Sequence, residues 1–142
     1  MTTIKSFTSL EQSRKLAEIL PHESADMIWY GAYCGMDGQY QLLSNEYNEF
    51  GLIAINNEFC KNLFRPEDKY VDWLPCWSLA ALLDILPDEL EDDHFLTLDK
   101  EGKEYCCCYE DGIGNSFKHK FADNPVDACV EMIIKLHELN LL

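Results

Sequence analysis

Three consecutive cysteines, Cys106, Cys107 and Cys108, are the residues whose type and spacing come nearest to a chemical site. Thiolates act as nucleophiles and ligate soft metals, and the four histidines of the chain offer the complementary base or ligand. If residues 104–109 form a strand, Cys106 and Cys108 share one face and Cys107 takes the other. The triplet then cannot present three thiolates to one tetrahedral metal. No C-x-x-C or His-x₃-His pair supplies the missing ligands. A neighbouring strand that carries His119 to Cys106 or Cys108 would build a site. Otherwise these cysteines are small apolar packing residues. On this reading the sequence assigns no metal, no cofactor and no catalytic residue, and it expects no stoichiometric zinc. His137 falls on the apolar stripe of a C-terminal helix and reads as a hydrogen-bonded residue at the edge of the core.

The carboxylates form the second set. The chain of 142 residues has 26 acidic and 11 basic side chains, a formal charge of −15, which argues against direct nucleic-acid binding. Abundant acids always leave some pair adjacent, so acid–base catalysis needs a pocket before it needs more carboxylates. There is no Gly-rich phosphate loop, nucleophile elbow, H-E-x-x-H motif or EF-hand loop. The charge is concentrated. Between Asp84 and Asp111 eleven acids meet two bases, Lys100 and Lys103. Gathered on a meander, Asp88, Glu89, Glu91, Asp92, Asp93, Glu101, Glu104, Glu110 and Asp111 would make an acidic patch that steers a basic protein partner. The plainer reading is a surface kept soluble by charge. Among the aromatics, Trp29 and Trp77 read as core, while Trp73 is either a partner anchor or a lid over a helix start.

These residues must be positioned by local elements. Thr8-Ser9-Leu10-Glu11 fits a capping box that starts a helix near Ser9, which Pro21 stops. Residues 27–34 and 39–43 around the Gly35–Gly38 turn read as a β-hairpin, residues 50–55 as a third strand and 56–74 as a connection. Pro75 to Leu86 is apolar around most of its circumference, so it reads as the most buried helix, with Pro75 at its first position. Strands are expected at 94–98, 104–109 and 115–121 at meander spacing. A final helix is capped by Asn124 with Pro125 and Asp127 behind it, its stripe being Val126, Cys129, Val130, Ile133, Leu136 and His137. The echo of residues 16–23 in residues 82–89, with five identities in eight positions, suggests two helix-plus-hairpin units.

The expected architecture is a single acidic α+β domain over residues 1–142, an antiparallel sheet of about five or six strands packed against three helices. With no secretory leader, no apolar run of about 20 residues and an odd number of cysteines, the expected setting is the cytoplasm, with free thiols and no membrane. The segments Pro75-Cys76-Trp77-Ser78-Leu79-Ala80-Ala81-Leu82-Leu83-Asp84-Ile85-Leu86-Pro87 and 124–138, with residues 16–29, resemble small uncharacterised proteins of prophages and other mobile elements of anaerobic gut bacteria. That resemblance implies an accessory, phage-type context and transfers no catalytic residue. The leading expectation is a non-enzymatic interaction protein, in its specific form an acidic decoy of a nucleic-acid-binding surface. The alternative is a small enzyme built on Cys106 or Cys108 with His119.

Overall fold

Helix α1 (Leu10–Ala17) begins where a reciprocal cap satisfies two amides that have no partner within the helix. Ser9 Oγ accepts from the Gln12 amide at 3.1 Å, and Gln12 Oε1 accepts from the Ser9 amide at 3.0 Å. The box is thus one residue later than the expected Thr8–Glu11 pair, and Thr8 is fully buried. The computed structural model describes residues 5–32, 51–54, 71–91, 93–113 and 116–142. The expected turn at Gly35–Gly38 and the strand at 39–43 lie outside these residues.

The described chain divides into two compact units, residues 9–77 and residues 78–142 with the N-terminal segment to Thr8. In the first, α1 buries Ser13 and Leu16 and exposes Glu11, Arg14 and Lys15, with its C-cap Glu18 also exposed. Its end tightens into i→i+3 bonds from Glu18 to Lys15 and from Ile19 to Leu16, so it stops before Pro21. After a 3₁₀ turn (His22–Ser24), strands β1 (Met27–Ala32), β2 (Gly51–Ala54) and β3 (Val71–Cys76) form an antiparallel sheet ordered β2-β1-β3.

Strand β3 corrects two expectations. Residues 71–74 are strand rather than connection, and Pro75 does not open a helix: it registers against Ile28 of β1. Proline has no amide to give a ladder and is tolerated on the outermost strand of a sheet, the place β3 holds among the described strands. Trp77 follows β3 outside any helix. It is completely buried, and its Nε1 donates to Ser24 Oγ at 2.9 Å.

In the second unit, helix α2 (Leu79–Ile85) is capped by Ser78, whose Oγ accepts from the Ala81 amide at 3.2 Å. It has seven residues and buries only Leu82 among them, with Ala80 and Asp84 exposed. The expected central helix is therefore a short, one-sided one. The burial falls instead on the last helix, α3 (Pro125–Glu138), which buries eight of its fourteen residues. Its cap matches the sequence reading: Asn124 Oδ1 accepts from the Asp127 amide at 2.8 Å with Pro125 behind it. Asp127 also takes a 2.7 Å ion pair from Lys5. The buried stripe includes Ala128 and Met132 but not His137, which is exposed one step past Leu136. In the echo, Leu16 and Leu82, and Leu20 and Leu86, are buried in both copies.

Between α2 and α3 lie β4 (Glu89–Leu90), β5 (His94–Glu101), β6 (Glu104–Glu110) and β7 (Ser116–Ala122), an antiparallel meander in sequence order. Gly102 and Lys103 are the two-residue turn between β5 and β6. Gly102 takes φ 64°, the left-handed value a primed hairpin turn needs at its first position. Among the described residues the class is α+β with antiparallel strands and three α-helices, and these strands form two sheets rather than one. Among the described residues no helix is long and apolar enough to cross a membrane.

Helix α3 ends in a Schellman motif. The Leu141 amide donates to Leu136 O at 2.9 Å and the Asn140 amide to His137 O at 3.0 Å, with Asn140 at φ 59°. Glycine has no Cβ to crowd that conformation. Asn140→Gly is therefore expected to raise stability by up to about 1 kcal/mol, and Asn140→Val to lower it by about 1–2 kcal/mol, in thermal melts.

Candidate functional site

Pairing within the β4-β5-β6-β7 sheet sorts its side chains into two faces. On one, Leu98 registers with Cys107 and Leu96 with Tyr109. Helix α3 packs against β6 and β7, and Cys107 hydrogen bonds with Cys129 of that helix. That hydrogen bond and burial both push the Cys107 thiol up, so it stays protonated. Tyr109 is fully buried, its hydroxyl donating to Pro87 O at 2.7 Å, and burial pushes that hydroxyl up as well.

The other face carries the candidate site. Thr97 registers with Cys108 and Cys108 with His119, while Asp99 registers with Cys106 and Cys106 with Phe121. His119 thus lies directly across from Cys108 and diagonally from Cys106. Cys106 Sγ is 3.8 Å from His119 Nδ1, and one ligand atom from each of Cys106, Cys108 and His119 lies within 4.8 Å of the others. The His119 ring is stacked on Phe121, centroids 5.9 Å apart and planes 3° from parallel. A register shift between Cys108 and Tyr109 marks an irregularity beside this pair, a feature that commonly re-aims a side chain.

Two further groups enclose Cys108. Thr97 Oγ1 lies 3.0 Å from its sulfur, and the sulfur donates to Glu110 Oε1 at 3.3 Å. Both thiols are withdrawn from solvent, 3% exposed at Cys106 and 1% at Cys108. Burial pushes the Cys106 thiol up against a hydrogen bond with Cys108 that lowers it, and the carboxylates of Glu101, Asp99 and Glu110 add to the rise. Cys108 is pushed up to about 12, first by burial, with Thr97 opposing and Glu110 and Cys106 reinforcing. Such thiols are poor nucleophiles near neutrality, because the thiolate is the reactive form. The five described cysteines, Cys76, Cys106, Cys107, Cys108 and Cys129, are all free.

The acidic residues do not gather as one patch. Asp88, Glu89, Glu91 and Asp93 are exposed around β4 and the turn into β5, and Glu110 and Asp111 sit at that same end, since Glu110 registers with Phe95. Asp92 lies outside the described residues. Asp111 also serves its own turn, accepting from the Ile113 amide at 3.1 Å. Glu101 and Glu104 face each other at the opposite end of β5 and β6. Eight residues of strand separate the ends by about 23 Å, well beyond a Debye length of about 8 Å. Contiguity in sequence had suggested one surface, and the meander makes two. Phe95, 49% exposed, and Phe121, 46% exposed, belong to the same face as Cys106 and Cys108. These rings, Thr97 and the proximity of Glu110 to Cys108 were missed from the sequence. Only the alternation of strand residues hinted at them, and alternation carries no register. Compared with known protein families, with curated proteins and with solved structures, the chain finds no match.

Proposed function

We propose that this chain is a non-enzymatic interaction protein of a phage or mobile element that binds a basic protein surface through the Phe95–Phe121 face of its four-stranded sheet. One observation carries the reading: two half-exposed phenyl rings share a face with the carboxylates of Asp99, Glu101, Glu104 and Glu110. Aromatic rings supply the anchor area of interfaces, and surrounding charge selects the partner and speeds encounter. Lys- and Arg-rich surfaces of the kind that hold nucleic acid are complementary to it, in keeping with a net charge of −15. The enzyme alternative has weaker support, because both thiols on this face are pushed up and would need an added cation to become thiolates.

A labelled Arg/Lys-rich peptide with one aromatic residue tests the reading by fluorescence anisotropy. Binding is expected at low salt and should fall steeply as salt rises. Phe95→Ala with Phe121→Ala, and separately Glu101→Lys with Glu104→Lys, should each weaken it by roughly tenfold or more. Glu11→Lys with Glu18→Lys, exposed on α1 and at its C-cap, should change it little. Equal binding by all variants, or insensitivity to salt, would sink the proposal.

A further inference from the structure

We infer that Cys106, Cys108 and His119 form a binding site for a thiophilic divalent cation of the zinc type, beside Glu110, which lies against the Cys108 sulfur. The inference does not depend on the interaction reading. Zinc in proteins takes four ligands in a tetrahedron with bonds of about 2.0–2.3 Å, which sets neighbouring ligand atoms roughly 3.3–3.8 Å apart. Two of the measured separations already match: Cys106 Sγ to His119 Nδ1 at 3.8 Å and Cys108 Sγ to Glu110 Oε1 at 3.3 Å. The three Cys and His donors as a set lie within 4.8 Å, so small side-chain rotations close the rest.

The donor chemistry is selective. Two sulfurs and an imidazole nitrogen favour zinc over magnesium or calcium, which seek oxygen. Supporting contacts of the kind that orient metal ligands are also in place. Thr97 Oγ1 is 3.0 Å from Cys108 Sγ, placed to donate to it as a thiolate, and Phe121 holds the imidazole plane by stacking. The three donors come from adjacent strands of one sheet rather than from loops, so the backbone presets their spacing. On binding, two S–H protons leave to solvent and two metal–sulfur bonds form, with no change of oxidation state. Cys107 is excluded, since it points to the α3 face and hydrogen bonds with Cys129. The sequence expectation of no metal rested on the want of a second motif to complete the ligands. Strand pairing supplies that complement without one.

The test uses Co²⁺ alone as the spectroscopic probe, added to the reduced, metal-free full-length chain, with Zn²⁺ as competitor. One equivalent should give the thiolate-to-cobalt charge-transfer band and the intense visible bands of a tetrahedral site, both erased by Zn²⁺. Cys106→Ser and Cys108→Ser should each abolish the charge-transfer and visible pattern, His119→Ala should weaken uptake, and Thr97→Val should lower affinity roughly tenfold. Cys107→Ser should leave the spectrum intact. Circular dichroism of each metal-free variant separates lost binding from lost folding, and His119→Ala, at an exposed position, gives an arm that does not disturb the core. No tetrahedral spectrum from the wild-type chain, or equal loss in Cys107→Ser and Cys106→Ser with both folded, would overturn the site.

Discussion

Ile133→Ala is expected to lower the free energy of unfolding by about 2–5 kcal/mol, and Leu136→Ala by a similar amount, because both side chains are completely buried on α3. Truncation there removes transfer energy and leaves a cavity that packed neighbours fill only in part. Helix α2 provides the contrast. Leu82→Ala should fall in the same range, since Leu82 is fully buried, whereas its neighbour Leu83 is only half-buried and should cost clearly less. Denaturant melts followed by far-UV circular dichroism read the difference. Equal losses at Leu82 and Leu83 would restore the apolar helix to the centre of the core. Losses at Ile133 no larger than at Leu83 would remove α3 from that role.

Trp77→Ala should be as damaging within the first unit, at about 3–5 kcal/mol, since the whole indole is out of solvent. Trp77→Phe keeps much of the buried area but gives up the Nε1–H donated to Ser24 Oγ. Ser24→Ala keeps the indole but removes the hydroxyl that accepts from it and donates to Pro21 O, which should cost about 1–2 kcal/mol. Ser24 is held in place by its own 3₁₀ turn, where its hydroxyl donates to Pro21 O at 2.6 Å, so the residues after α1 are tied to the residue after β3. The expected order is Trp77→Ala, then Trp77→Phe, then Ser24→Ala, in the same melts. A Trp77→Ala chain that melts like the parent would mean that the indole is not a core element.

How far these features could be read in advance depended on how local their causes were. Asn124, Pro125 and Asp127 form a cap through bonds spanning three residues, and so it was legible residue by residue. The cap of α1 was legible in kind but not in place, because Thr8 and Ser9 carry the same hydroxyl chemistry and only burial of Thr8 separates them. Pro75 shows the opposite case. Its fixed φ suits the first turn of a helix and an outer strand alike. The choice was made by Ile28 across the ladder, 47 positions away in the chain.

The candidate site divides along the same line. By itself the sequence determined that Cys106 and Cys108 share a face while Cys107 faces away, that strands run near 94–98, 104–109 and 115–121, and that the chain is strongly acidic. Each follows from the two-residue period of a strand, from turn chemistry or from composition. Only the tertiary structure decided that Thr97, Cys108 and His119 stand in one row, that the acids separate to two ends of the sheet, and that α3 rather than α2 buries more of its residues. Those outcomes depend on register. Here a two-residue turn at Gly102–Lys103 and a shift beside Cys108 set the register, and a slip of one residue would have sent every side chain of the moved strand to the opposite face.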